Sequence, residues 1–239
     1  MGCNAPAMTA RQTGAMISSH RHSARPRHGM TAQSKLGLLI GRRRSIRRYR
    51  VGPVDREVIE RLLLAATQAP SAHNRQPWRF AVIEEKETKT TLANAMGQRL
   101  REDRGADGDN LEAIDADVSR SFARITEAPT LIIVCIDNRD MDKYPDERRR
   151  RAEHLMAVQS TAMATQNLLL AAEHEGLGAC IMCAPLFCSE VVADALKLPD
   201  GWQAQMLVTI GRPVDNGKTR PRLPLTDVVL WPSRDQPAR

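Results

Sequence analysis

No acidic side chain occurs before Asp55. Residues 1–54 hold 11 of the 35 lysines and arginines and none of the 28 aspartates and glutamates, so the remaining 185 residues carry 24 basic against 28 acidic groups. The net charge of +7 therefore belongs to one end of the chain, and the body is mildly acidic. A protein that tracks a polyanion spreads a basic stripe over its folded body, so this distribution argues against nucleic acid as a partner. No apolar run reaches the roughly 20 residues needed to cross a bilayer. The opening "MGCNAPAMTARQTG" is followed by no apolar segment of a secretory signal, and Pro6 stands where a myristoylation signal needs Ser or Thr. Five cysteines, an odd number, give no disulfide framework. These absences lead us to expect a soluble, cytoplasmic protein of a reducing compartment.

Several chemical motifs are missing as well. "GRPVDNGK" lacks the spacing of a phosphate-binding P-loop. "EGLGACIMC" contains G-x-G without a third glycine, so a dinucleotide fingerprint fails. No G-x-S-x-G marks a serine hydrolase. Cys180, Cys183 and Cys188 form C-x2-C-x4-C, but a zinc or iron–sulfur centre needs a fourth ligand and none stands near. We therefore expect no metal, and read these cysteines as small buried residues beside a glycine-rich turn. His73 has no carboxylate at useful spacing, and no side chain is singled out as a catalytic acid or base.

What is present is enough for one full core: 239 residues with 42% hydrophobic content. Residues 1–30 show no apolar period and read as a disordered extension, or as the product of a start codon placed too early, with an arginine-rich targeting arm as the rival. The domain is expected over 31–239. "VDREVIERLLLAATQA" carries a helical stripe stopped by Pro70. "RFAVIEE" reads as a strand and "ETKTTLANAMGQRLRED" as a helix. Residues 103–119, rich in Asp and Gly, read as a mobile connection or cover. "APTLIIVCIDN" is a buried strand. A helix of roughly 25 residues follows, apolar or small nearly all round from Leu155 to Ala172. "ACIMCAPL", "SEVVADALKLP" and "WQAQMLVTIGRP" complete the pattern as strand and turn, short helix and last strand. Helices dominate over few strands, in an α/β or α+β arrangement.

Two basic elements stand out. "RRRSIRRYR", Arg42 to Arg50, has six arginines in nine residues. If it is helical, Arg43 and Arg47 share one face and Arg44 and Arg48 the next, with the Ser45 hydroxyl between them. Guanidinium forks suit phosphate because paired N–H bonds match paired oxygens. "GKTRPRLPL" places Arg220 and Arg222 on one side of an extended stretch pinned by prolines. In "PSAHNRQPWRF", Ser71, Asn74 and Gln76 offer donors and acceptors suited to a heterocycle edge.

Together, "RRSIRRY", "APSAHNRQPWRF", "QNLLLAAEHEGLGACIM", "IGRP" and "RPRLPLTDVV" make the chain resemble the FMN-dependent nitroreductase family, in family order over most of residues 36–230. Within it the chain is most similar to the nitroreductase-like domain of coenzyme F420 γ-glutamyl ligases, through "YPDERRRRAEHLM" and "GLGACIMCAPLFCSEVVADALKLPDGW". The ligase domain has no counterpart. The resemblance implies an α+β fold, a mostly antiparallel central sheet flanked by helices, and an intertwined homodimer with flavin sites at the interface. It implies that the arginine segment begins a helix holding the FMN phosphate and ribityl chain through Arg43, Arg44 and Ser45, with Arg47 at the pyrimidine edge. Arg220 and Arg222 would complete the phosphate clamp. Pro70, Ser71, Ala72 and Asn74 would approach from the partner subunit, and the backbone amides of Cys183 and Ala184 would face N5 and O4. The implied activity is NAD(P)H-driven reduction of an electron-poor acceptor of nitroaromatic, quinone or enone type. Reduction of a dehydro intermediate in F420 synthesis, and flavin binding without turnover, are the alternatives.

Overall fold

The computed structural model describes residues 34–232, so the expected extension over 1–30 lies outside the described residues. The chain divides into a body, residues 31–222, and a second unit whose described part is residues 223–232. Among its described residues a short helix, Leu225–Val228, is flanked by exposed Leu223, Leu230 and Trp231.

The body is built on four strands, β1 (Trp78–Ile83), β2 (Thr130–Asp137), β3 (Gly178–Met182) and β4 (Trp202–Gly211), in the order β1-β2-β4-β3. Every pairing is antiparallel. Six helices accompany it: α1 (Lys35–Arg42), α2 (Arg56–Thr67), α3 (Lys86–Ala106), α4 (Leu111–Thr126), α5 (Glu147–His174) and α6 (Ser189–Leu196). The arrangement is α+β.

Alternation along the strands explains the layering. Ile132 and Val134 of β2, with Val208 and Ile210 of β4, face Ile59, Leu62 and Ala66 of α2 and Ala164, Leu168 and Ala172 of α5. The intervening Leu131, Ile133 and Cys135 face Leu92, Ala93 and Met96 of α3 and Val192 of α6. Because helices cover both faces, all eight residues of β2 are buried, which is why its sequence shows no polar alternation. The register shifts once, where Val134 pairs with Met206 and Cys135 with Ala204, passing over Gln205. This extra residue lets Ala204 and Leu207 point into the same core despite their odd spacing.

Capping sets the helix limits. Ser34 Oγ accepts from the Gly37 N–H at 2.9 Å, and Asp146 accepts from the Arg149 N–H at 3.0 Å, each satisfying a donor that has no partner inside its helix. α5 stops where Gly176 takes φ +71° and the Leu177 N–H turns back to the Ala172 carbonyl at 2.8 Å.

Residues 111–126 correct one expectation: most of the polar stretch read as a mobile connection is α4. Asn110 caps it through the Ala113 N–H at 3.0 Å, and Ile114, Val118 and Ile125 form its buried stripe. It packs closely on α3, where a Cβ at Gly97 would lie 3.0 Å from Val118 Cγ1. Among the described residues no helix is long and apolar enough to cross a membrane.

Candidate functional site

The arginine segment also departs from expectation. α1 ends at Arg42, and Arg43 at ψ 127° leaves the helix, so the segment follows a helix rather than beginning one. Ser45 forms a parallel bridge with Ala179 of β3, and the Ile46 N–H donates to the Ala179 carbonyl at 3.0 Å. Ile46 is buried while Ser45 and Arg47 are exposed. The cause is tertiary: Ile46 inserts against Gly178, where a Cβ would lie 2.6 Å from Ile46 Cγ2, so no larger residue fits without displacement. The four-residue spacing of Arg43 and Arg47 therefore does not place them on a common helix face.

Tyr49 anchors the far end. Its hydroxyl lies 2.6 Å from the Ile46 carbonyl, 2.7 Å from Thr209 Oγ1 and 3.1 Å from the Thr209 carbonyl. Burial pushes the phenol well above its ordinary range, so it stays protonated as a donor.

A second arm runs beside the first. Tyr49 bridges Pro213, the Arg50 N–H donates to the Arg212 carbonyl at 2.8 Å, and the Val214 N–H donates to the Arg48 carbonyl at 3.2 Å. Asp215 Oδ2 accepts from Arg48 Nη2 at 2.6 Å and Nε at 3.1 Å, while its Oδ1 accepts from the Gly217 N–H at 2.8 Å. Gly217, at φ +68°, lies against the first arm: a Cβ there would be 2.8 Å from Ile46 Cδ1 and 3.0 Å from Arg44 Cβ. Five residues beyond it comes Arg222, whose Nη1 reaches only the Arg220 and Pro221 carbonyls, at 3.5 and 3.4 Å. Arg220 and Arg222 are both exposed.

Charge pairing separates these arginines from most others. Arg42 pairs with Glu173, Arg61 with Glu175, Arg99 with Asp103 and Glu190, and Arg104 with Asp109 and Asp117. Among the described residues no ion pair is formed by Arg43, Arg44, Arg47, Arg220 or Arg222, nor by Arg50, Arg124 of α4, or Arg148, Arg150 and Arg151 at the start of α5. Arg47, Arg124 and Arg43 also converge electrostatically on Cys180, whose thiol is pushed up by burial and pulled the other way by these three cations. Arg124 escapes sequence reasoning because it belongs to no arginine-rich stretch.

The 70–76 loop is held in place by backbone contacts. Ser160 Oγ of α5 accepts from the Ala72 N–H at 3.3 Å, and Ser71 Oγ accepts from the Gln76 N–H at 3.0 Å. His73, Asn74 and Gln76 all take left-handed φ values, 49°, 54° and 49°. Three such non-glycine residues in four positions mark local strain maintained by the surroundings. Pro70 and Asn74 are exposed, and within one chain no hydrogen bond or ion pair joins this loop to the arginine segment among the described residues.

At the end of β3, Cys183 is exposed, unlike buried Cys180 and Cys188, which corrects its reading as a buried residue. No acceptor within the described residues takes the N–H of Cys183 or Ala184 in the backbone network, although the Cys183 carbonyl accepts from Leu186. No group of three His, Cys, Asp or Glu side chains among the described residues is placed to hold a metal. Two clefts, of about 540 and 360 Å³, are lined chiefly by residues 50–58, 84–89, 126–129 and 175–177, and contain none of these candidates. Guanidinium groups left without a carboxylate partner are suited to an anion.

Comparison with known proteins shows the family. Residues 40–212 match the model of the nitroreductase family. A protein of Thermus thermophilus named NADH dehydrogenase is 32% identical over 215 residues, covering 80% of this chain and 92% of the relative. A Desulfovibrio desulfuricans protein described as a nitroreductase, solved in complex with FMN, superposes with a TM-score of 0.64 at 25% identity, covering 84% of this chain and 98% of its own. A BluB-like flavoprotein of Clostridium difficile shares the fold, with a TM-score of 0.68 at 21% identity, over 84% of this chain and 100% of its own.

Proposed function

Because the chain belongs to the nitroreductase family, we propose that it is an FMN-dependent oxidoreductase that uses NAD(P)H to reduce an electron-poor organic acceptor of nitroaromatic, quinone or enone type. The observation that carries this reading is the set of unpaired arginines on two arms joined side by side, in a body whose other arginines are mostly paired. Bound FMN would supply the hydride and electron chemistry.

The chain's own residues bind and orient. Arg43, Arg44 and Ser45 hold the phosphate and ribityl chain, with Arg220 and Arg222 closing on the phosphate. Arg47 supplies a permanent positive charge at the pyrimidine edge, which favours the extra negative charge that a reduced ring carries. The backbone donors of Cys183 and Ala184 orient the ring from the side of N5 and O4. Pro70, Ser71, Ala72 and Asn74 come from a second copy in an intertwined homodimer. Exposed Leu155 and Met163 on α5, Leu36, Leu38 and Ile40 on α1, and Leu186 and Phe187 support that assembly, since so many exposed apolar side chains suit a subunit contact. The Thermus relative's dehydrogenase name favours a general NAD(P)H oxidoreductase over the narrower role in F420 synthesis.

Titration of the apo-protein with FMN and with riboflavin tests the reading. Arg43→Ala and Arg222→Ala should each weaken FMN by roughly five- to a hundredfold, the value of one charge-assisted hydrogen bond, and riboflavin much less. Asn74→Ala should weaken both flavins. Arg150, which caps the Tyr144 and Pro145 carbonyls, is the control, and its Ala variant should bind both normally. Equal losses for FMN and riboflavin in the two arginine variants would remove the clamp. Holoprotein that never oxidises NADH or NADPH would instead leave a flavin-binding protein without turnover.

A further inference from the structure

We propose that Asp215 is a positioning residue for anion binding, latching the arm that carries Arg220 and Arg222 onto the arm that carries Arg43 to Arg47. This deepens the FMN reading and rests on it.

A carboxylate here is unexpected on electrostatic grounds. An anion site gains from surrounding positive charge, and an acidic side chain a few residues from two of its arginines works against it. Yet both Asp215 oxygens are engaged, one across the arms and one within its own arm. One takes the guanidinium of Arg48, at 2.6 and 3.1 Å, from across 167 residues of sequence. The other takes the Gly217 N–H at 2.8 Å and so shapes the turn that presses Gly217 against Ile46 and Arg44. The Gly217 N–H, then Arg48, hold the carboxyl below its usual range, so it remains charged through the neutral region.

The backbone supports the same arrangement. Three links at Tyr49, Arg50 and Val214 align the arms up to residue 214, after which the Asp215 side chain and the Gly217 turn continue the contact. Beyond Gly217 the chain makes no further backbone pairing before the two free arginines. The direction in which residues 218–222 leave the body is thus set at Asp215 and Gly217. The Arg48–Asp215 pair is largely exposed, with side chains 74% and 39% accessible, and surface pairs of this kind add little to global stability. Its effect therefore belongs in ligand discrimination rather than in the melting temperature.

The two accounts predict opposite signs. If Asp215 acts only as a nearby negative charge, Asp215→Asn should tighten FMN binding. If it is the latch, the same change should weaken FMN by about three- to tenfold, part of the value of the contacts it aligns. Riboflavin binding should change less than about twofold. Gly217→Ala, which changes no charge but places a methyl into Ile46 and Arg44, should give the same FMN-selective loss. The exchanged pair Arg48→Asp with Asp215→Arg should recover part of it. All variants are titrated as full-length dimer-competent protein at fixed salt, with melting temperature followed in parallel. Unchanged or tighter FMN binding in Asp215→Asn, or equal loss of both flavins, overturns the latch. A loss in Arg222→Ala without one in Asp215→Asn overturns the latch alone, whereas no loss in either overturns the FMN clamp and the latch with it.

Discussion

Replacing Tyr49 by Phe removes one oxygen from the junction of the two arms, and the structure sets how much that should cost. The Tyr49 and Thr209 hydroxyls bring two hydrogens to three carbonyls: Ile46 at 2.6 Å from Tyr49, Thr209 at 3.1 Å from Tyr49, and Cys180 at 3.3 Å from Thr209 Oγ1. The shortest contact takes the tyrosine hydrogen to Ile46, and the threonine hydrogen goes either to the tyrosine oxygen at 2.7 Å or to Cys180. After Tyr49→Phe, Thr209 still has Cys180 as acceptor, but the Ile46 carbonyl loses its side-chain donor in a partly buried place. One net hydrogen bond plus incomplete resolvation of that carbonyl amounts to about 1–2 kcal/mol. The ring itself stays, so its packing beside Gly211 is kept and no cavity term arises. Urea unfolding at fixed protein concentration should show a lower midpoint with an unchanged slope. FMN affinity should fall more than riboflavin affinity, because the freed Ile46 carbonyl directly follows Arg43, Arg44 and Ser45, the residues proposed to hold the phosphate. A change within about 0.3 kcal/mol, with both flavins bound normally, would refute the assignment of Tyr49 as the anchor.

Other predictions follow from single contacts. Lys89 is buried and donates to the Ala128 and Pro129 carbonyls at 2.8 and 3.2 Å, so Lys89→Met should destabilise by about 1–3 kcal/mol in the same unfolding assay. The Asp137 carboxyl, buried at the end of β2, is held below its usual range, chiefly by the Arg139 guanidinium. A depressed folded value means that its stabilisation is present above the unfolded carboxylate pKa of about 4 and is lost as pH falls through the folded one. Asp137→Asn should therefore lower the melting temperature at pH 7 and flatten its decline below about pH 4. Among Cys135, Cys180, Cys183 and Cys188, only exposed Cys183 should react readily with iodoacetamide in a Cys3→Ser background, since burial pushes Cys135 up to about 12 and raises the other two. Mass mapping of the label checks this, and FMN should slow modification at Cys183 if it lies over that turn.

The elements legible in the sequence are those whose cause is local. β2 announces itself as a run of branched residues, and α5 by its length and small apolar face, because each is buried whatever surrounds it. α4 was obscured by the Asp and Gly cluster before it, although the Asn110 cap and the spacing of Ile114, Val118 and Ile125 were there to read. The arginine segment could not be read correctly from spacing. Arg43 and Arg47 suit a helix face, and only the distant Gly178, Ala179, Pro213 and Gly217 make an extended path better. The residue types suited to an anion were visible, but not their freedom from carboxylate partners, nor the addition of Arg124, because both depend on what the fold brings alongside.

The ribbon between residues 45–50 and 212–217 has a consequence for how the chain is made. Its two sides are 167 residues apart at Arg48 and Asp215. Closing a flexible loop of that length costs about 4–5 kcal/mol by polymer scaling, a cost met only when the strands and helices between them have already shortened the effective loop. During synthesis the first arm emerges early and waits for the second. Ile46 can find Gly178 only after roughly three-quarters of the body, residues 31–222, has been translated, and Asp215 and Gly217 arrive later still. Until then the arginine-rich arm, beside the exposed Leu36, Leu38 and Ile40 of α1, has no second arm to pair with. The proposed phosphate grip would thus be among the last parts of the body to form, and a chain that stalls before residue 217 would hold most of the core without the second arm that the grip requires.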